Sequence, residues 1–211
     1  MFSSLKRKLK NSPLYPLLSR VRDLQKYHKW NKEGKPVPPP HIVKRKIVAE
    51  YATKNSCKTF YESGTYLGDM VNFAKNIFDE IYSVELSADL AELAKLKFQS
   101  SNNIHIIQGD SGIVIEGLLS KIKEPCLFWL DGHYSGGITI CGKEHSPIIN
   151  EVSAIIKNGL GENIILIDDA RCFNGENGYP TLESLDELFK ENDKSIDMVV
   201  QNDIIRILRV K

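Results

Sequence analysis

What most restricts this chain is a regular alternation of short apolar runs with helix-period stretches, from residue 57 to the end. CKTFYES, EIYSVEL, IHIIQGD, CLFWLDG and ENIILIDDA read as buried strands. Between them lie TYLGDMVNFAKNIF, SADLAELAKLKF, SGIVIEGLLSKI and SPIINEVSAIIKNG, which read as helices. The first of these carries Met70, Val71, Ala74, Ile77 and Phe78 on one stripe. Ser87 stands where an N-cap belongs and Gly159 where a helix closes. TLESLDELFKEN is a further helix, capped by Thr181. SIDMVVQNDIIRILRVK reads as two strands joined at Gln201-Asn202-Asp203. No helix fits between those two, so they must run antiparallel. The expected fold class is α/β, a seven-stranded, mostly parallel sheet with an antiparallel last strand and helices on both faces.

Composition separates the front of the chain from this body. Residues 1–50 carry 13 Lys and Arg against three Asp and Glu, whereas the remaining 161 carry 15 against 24. Residues 1–40 are expected to form a basic arm with a proline-rich linker (NKEGKPVPPPH), and residues 41–211 the domain proper. HIVKRKIVAEYATKN leads into the domain as a helix. MFSSLKRKLK sets Phe2, Leu5 and Leu9 at helical spacing among lysines and an arginine, and Leu17, Val21 and Leu24 form a second apolar face. An export signal would continue with roughly 7–15 apolar residues. Here NSPLYPLLS intervenes, broken by Pro13 and Pro16, so a cytoplasmic location is expected. Residues 1–30 suit an anionic membrane surface or another anionic partner. A helix packed on its own body is the simpler reading and the one favoured. A hydrophobic content of 42% is that of a globular chain, and four scattered cysteines exclude a disulfide scaffold or a CxxC zinc site.

Right-handed crossovers bring the loops after the parallel strands to one sheet edge, where ligands bind in such folds. The first strand leads into Glu62-Ser63-Gly64-Thr65-Tyr66-Leu67-Gly68-Asp69. This is not the G-x-G-x-x-G of a dinucleotide site, because Tyr66 and Asp69 hold the second and third glycine positions. With Glu62 and Asp69 present and a P-loop lysine absent, the loop suits a cation better than a phosphate. The second strand ends at Glu85, placed to accept from ribose hydroxyls, and the third at Asp110-Ser111, placed to accept from an adenine amino group. An adenosine joined to a cationic amino-acid portion fits all three, which is S-adenosylmethionine. Singly each piece has an ordinary reading too, since an acid at a strand end can cap a helix and a glycine can simply turn the chain.

The fourth and fifth strands end in Asp131-Gly132-His133 and Asp168-Asp169. If those strands are neighbours, three carboxylates converge and call for a hard cation such as Mg²⁺. Such an ion acidifies a bound hydroxyl, and His133 is placed to take the proton. The acids and the histidine could instead serve as caps or loop residues. His145 and Arg171 flank the same edge, while Cys141 and Cys172 lack a paired base and are not read as nucleophiles.

YESGTYLGD, SVELS, QGDSG, FWLDGHYSGG and LIDDAR resemble the class I S-adenosylmethionine-dependent methyltransferases from about residue 43 onward, and within them the macrocin O-methyltransferase family of sugar and natural-product enzymes. The acid set is also similar to the metal triad of catechol O-methyltransferase. The resemblance implies a Rossmann-like class I methyltransferase fold with Glu62, Gly64, Thr65, Gly68, Glu85, Asp110, Ser111 and Asp131 at the cofactor. It implies Mg²⁺ on Asp131, Asp168 and Asp169, and His133 as base. The expected acceptor is a hydroxyl of a sugar or polyhydroxylated small molecule, and a homodimer is the expected assembly. Two other readings stand beside it: a metal-independent methyltransferase of RNA or protein guided by the basic arm, and a non-catalytic binding protein. The absence of an N/D-P-P-Y/F motif after the fourth strand counts against amino-group methylation of bases, and the intact acid set against a non-catalytic role.

Overall fold

The computed structural model describes residues 15–123, 125–131 and 146–210. The chain divides into two compact units after Lys46, inside its second helix. In the first unit, helix α1 (Tyr15–Lys32) is followed by a proline-rich segment and the start of α2 (His41–Lys54). Trp30 Nε1 donates to the Pro36 carbonyl at 2.8 Å, and Arg45 pairs with Asp23 at 2.7 Å. Of the expected apolar face of α1, Val21 and Leu24 are exposed.

The second unit carries seven strands: β1 (Thr59–Ser63), β2 (Glu80–Glu85), β3 (Ile104–Gln108), β4 (Cys126–Leu130), β5 (Ile164–Ile167), β6 (Ile196–Gln201) and β7 (Ile204–Arg209). They form one sheet in the order β3-β2-β1-β4-β5-β7-β6. The first five are parallel, and β7 runs antiparallel between β5 and β6. The hairpin turn is Asn202-Asp203, with φ of 56° and 62°. Two successive positive φ values match the twist of the flanking strands, which is why short polar residues occupy them.

Every residue of β1, β4 and β5 is buried, as expected of central parallel strands covered on both faces. The covering helices are α3 (Asp69–Ala74), α4 (Ala88–Phe98), α5 (Ser111–Leu119), α6 (Ile148–Asn158) and α7 (Leu182–Asn192). The main core joins Ile115 and Leu118 of α5, Val152 and Ile155 of α6, and Leu185 and Phe189 of α7 to Tyr61, Phe128, Ile165 and Ile205 of the sheet. Ser87 and Thr181 cap their helices by accepting from Leu90 N and Ser184 N.

One element differs from its sequence expectation. The first crossover helix was expected over residues 65–78 but spans only Asp69–Ala74. Left-handed backbone at Gly64, Tyr66 and Gly68 (φ 89°, 47° and 68°) turns residues 64–68 into a tight loop instead. Helical periodicity cannot report such a loop, because its apolar residues continue the stripe.

Candidate functional site

Chain order reverses between β1 and β4, so the edge beside β1 is the crevice where ligands of such sheets bind. The loop after β1 leaves the sheet at this edge. A Cβ on Gly68 would lie 2.7 Å from the Phe98 ring, and its φ of 68° is one that L side chains rarely adopt, so the position requires glycine twice over. Glu85, 6% exposed, ties this loop to β2: one carboxylate oxygen accepts from Tyr66 N at 2.7 Å and the other from Ser87 N at 2.9 Å.

Beneath the loop lies a chain of side-chain hydrogen bonds. Ser83 Oγ donates to Glu62 at 2.6 Å. Its only proton is used there, so in the 2.7 Å contact with Thr65 the threonine hydroxyl must donate. Glu62 is fully buried. Burial pushes its carboxyl well above the usual range, the Ser83 hydrogen bond opposes this, and repulsion from Asp131, Glu85 and Asp69 adds to it. At the end of β3, Asp110 caps α5 by accepting from Gly112 N at 3.0 Å, and Ser111 is buried behind it. The ordinary capping role of Asp110 is thus realised.

Strands β4 and β5 are neighbours, with Leu130 opposite Ile167, so Asp131 and Asp168 leave the sheet side by side. Asp131, Asp168 and Asp169 each offer a carboxylate oxygen, all within 4.8 Å of one another. Asp131 N donates to Ser63 at 3.2 Å and Asp168 N to Leu130 O at 3.0 Å. Asp169 is held in left-handed backbone (φ 57°), and Arg171 Nη1 donates to its Oδ1 at 2.8 Å. The same guanidinium also bonds Asp203, whose other oxygen accepts from Arg171 N at 2.9 Å. The β6–β7 turn is therefore part of the scaffold of this acid set. Burial, then Asp169, raises the Cys172 thiol, which leaves it a poor nucleophile. His133, Cys141 and His145 lie outside the described residues.

A cleft bounded by Asp131, Asp168, Ser146, Phe173, Tyr179 and Glu151 opens beside these acids. Glu151, on the first turn of α6, is 0% exposed. Burial pushes its carboxyl up to about 7, while the nearby Ser111 and Ser63 hydroxyls pull it down. Neither of its oxygens completes a well-formed hydrogen bond among the described residues. Sequence reading missed Ser83, Glu151, Tyr179 and Asp203. For Glu151 a signal existed: it shares the helix face of Ile148, Val152 and Ile155, where an acid is out of place. Asp203 looked like any turn residue.

No family model matches the sequence, and no curated protein does. Solved structures do. A methyltransferase from Podospora anserina, PaMTH1, bound to SAH, is 17% identical with a TM-score of 0.56, covering 99% of this chain and 95% of its own. An O-methyltransferase from Bacillus cereus in complex with SAH is 13% identical, TM-score 0.54, covering 90% of each chain. TomG, an O-methyltransferase from Streptomyces achromogenes solved with SAM, is 11% identical, TM-score 0.58, covering 90% and 89%. At these identities the likeness is one of fold, and the fold is the Rossmann-like one of class I methyltransferases.

Proposed function

We propose that this protein is an S-adenosylmethionine-dependent, Mg²⁺-dependent O-methyltransferase acting on a hydroxyl of a sugar or polyhydroxylated small molecule, similar to the macrocin family. The observation that carries the reading is the joint position, on one sheet edge, of the Gly64–Gly68 loop with Glu85 and of the three acids on β4 and β5. SAM- and SAH-bound neighbours of the same fold support the cofactor.

The donor set fits a hard dication: oxygen ligands only, three of them, two on buried residues. Asp131, Asp168 and Asp169 would hold it, and when bound it supplies the positive charge that favours an acceptor hydroxyl as alkoxide. The chain's own residues do the remaining work. Arg171 fixes one oxygen of Asp169 by a hydrogen bond of 2.8 Å. Glu85 and Lys97 hold the loop: the former takes the Tyr66 N–H, the latter donates to Leu67 O at 2.6 Å. This order favours a bound nucleoside by lowering the entropy cost of closing the loop on it. Glu62, Gly64, Thr65, Gly68, Glu85, Asp110, Ser111 and Asp131 are the assigned cofactor contacts. His133 is the assigned base. For residues 1–30 a helix packed on its own body stays the favoured reading, with an anionic surface or other anionic partner as the alternative, and the assembly is read as a homodimer. No helix among the described residues is long and apolar enough to cross a membrane.

The test is calorimetric titration with S-adenosylmethionine, with and without Mg²⁺, followed by labelled methyl transfer into glycosides, diols and RNA. Asp168→Ala should lower metal-dependent transfer at least 100-fold and leave cofactor affinity within about threefold. Equal transfer by both proteins would remove the metal from the mechanism.

A further inference from the structure

A second cavity lies at the opposite end of the sheet from the acid set, where β1 and β2 begin. It holds about 220 Å³ and is lined by Thr59, Glu80, Tyr82, His105, Lys121 and Lys123. Thr59 opposes Glu80 and Tyr82 opposes His105, so these four share one face of β1, β2 and β3. At about 3.3 Å per residue, Glu80 stands roughly 17 Å along β2 from Glu85 of the crevice. β2 is an interior strand, yet Glu80 and Tyr82 stay partly exposed on this face. His105 Nε2 donates to Glu80 at 2.9 Å, and the His105 and Tyr82 rings stack at 4.8 Å. The single acid of the lining is therefore engaged by a neighbour. Lys121 and Lys123, exposed on the segment after α5, form no ion pair among the described residues, whereas Lys95 and Lys190 pair with Glu92 and Asp186. Acids outnumber bases 24 to 15 in residues 51–211, so this basic hollow runs against the charge of the body around it. Lysines after a helix end also balance its dipole, but that role requires neither a cavity nor an aromatic wall.

We propose that this cavity binds a phosphate group, free or carried by a small molecule such as a sugar phosphate, with Lys121 and Lys123 as its cationic partners. A phosphate dianion matches two ammonium groups, and each hydrogen bond to it is charge-assisted. The cavity is smaller than the ~300–1,000 Å³ of sites for drug-sized ligands, which limits the body attached to the phosphate. The stacked Tyr82 and His105 rings wall the space for that body. The proposal stands apart from the methyl-transfer reading, since none of the six lining residues belongs to the crevice or to the acid set.

The test titrates inorganic phosphate, glucose 6-phosphate and glucose into the full chain at fixed pH and ionic strength, read by NMR on the His105 imidazole. Both phosphates are expected to move the His105 signals, and glucose to bind at least tenfold more weakly than glucose 6-phosphate. The double variant Lys121→Gln, Lys123→Gln should weaken both phosphates at least tenfold. Both lysines are exposed, so this variant keeps the fold. Lys190→Gln, at an exposed lysine of α7, should leave both affinities within about twofold. Tighter binding of glucose 6-phosphate identifies the ester as ligand, and equal or tighter binding of inorganic phosphate identifies free phosphate; either upholds the site. Failure of both phosphates to bind overturns the proposal, as does glucose binding as tightly as its phosphate. Binding that survives the double substitution, or falls equally in Lys190→Gln, overturns it as well. Displacement of glucose 6-phosphate by S-adenosylhomocysteine would put the anion in the crevice and have the same consequence.

Discussion

Replacing Glu151 by glutamine tests whether this carboxyl carries the burden its burial implies. In the unfolded chain it titrates near 4.5, and in the folded protein near 7. Below 4.5 both states hold the proton and the group contributes nothing to pH dependence. Between 4.5 and 7 the folded state keeps a proton that the unfolded state has released, so stability falls as pH rises. Above 7 the full cost is present. A gap of 2.5 pH units at about 1.4 kcal/mol each corresponds to about 3 kcal/mol. Glutamine has nearly the same shape and no titration, so it lacks this dependence. The stability difference between variant and unsubstituted protein should therefore move by about 3 kcal/mol in favour of Glu151→Gln between pH 4.5 and 8. Any constant offset from the amide cancels in that comparison. Urea unfolding of both proteins across this range, in metal-free buffer, measures it. Thermal melts should show the same movement as roughly 6–12 °C, at about 2–4 °C per kcal/mol for a chain of this size. A difference that stays constant with pH, or moves against the variant, would refute the reasoning.

Three further perturbations probe the scaffold. Ser83→Ala should cost about 1–3 kcal/mol in urea unfolding, because Glu62 and Thr65 both lose a buried partner; a loss below about 0.5 kcal/mol would contradict the hydrogen-bond chain. Gly68→Ala should destabilise by at least about 1–2 kcal/mol from its left-handed backbone alone, and weaken S-adenosylmethionine binding through displacement against Phe98; unchanged affinity would separate the loop from the cofactor. Arg171→Ala should cost about 2–4 kcal/mol, since Asp169 and Asp203 are buried carboxylates that share it, with part of the effect screened because the guanidinium is 40% exposed. Arg171→Lys should recover part of that loss in the same assay.

Strand and helix order were legible because each strand is a short apolar run and each major helix a 3.6-period stripe, signals that survive without tertiary context. The antiparallel end followed from loop length alone, and the convergence of Asp131 with Asp168 and Asp169 needed only the assumption that β4 and β5 pair, which they do. Helix α3 was overestimated because backbone handedness at Tyr66 and Gly68 leaves no mark on a hydrophobic pattern. Asp203 and Ser83 were invisible as site residues for a different reason, and Glu151 showed only as an acid on an apolar helix face. Each acts on a partner 18 or more residues away in sequence, Arg171, Thr65 and Ser63 among them. Sequence alone thus determined the element order, the sheet class and the acids that meet at its edge, all products of local pattern and chain connectivity. Which carboxylates are held by a guanidinium, which are buried beneath the loop, and which lies buried beside the cleft were decided only by tertiary packing, because charge environment depends on neighbours that the fold supplies.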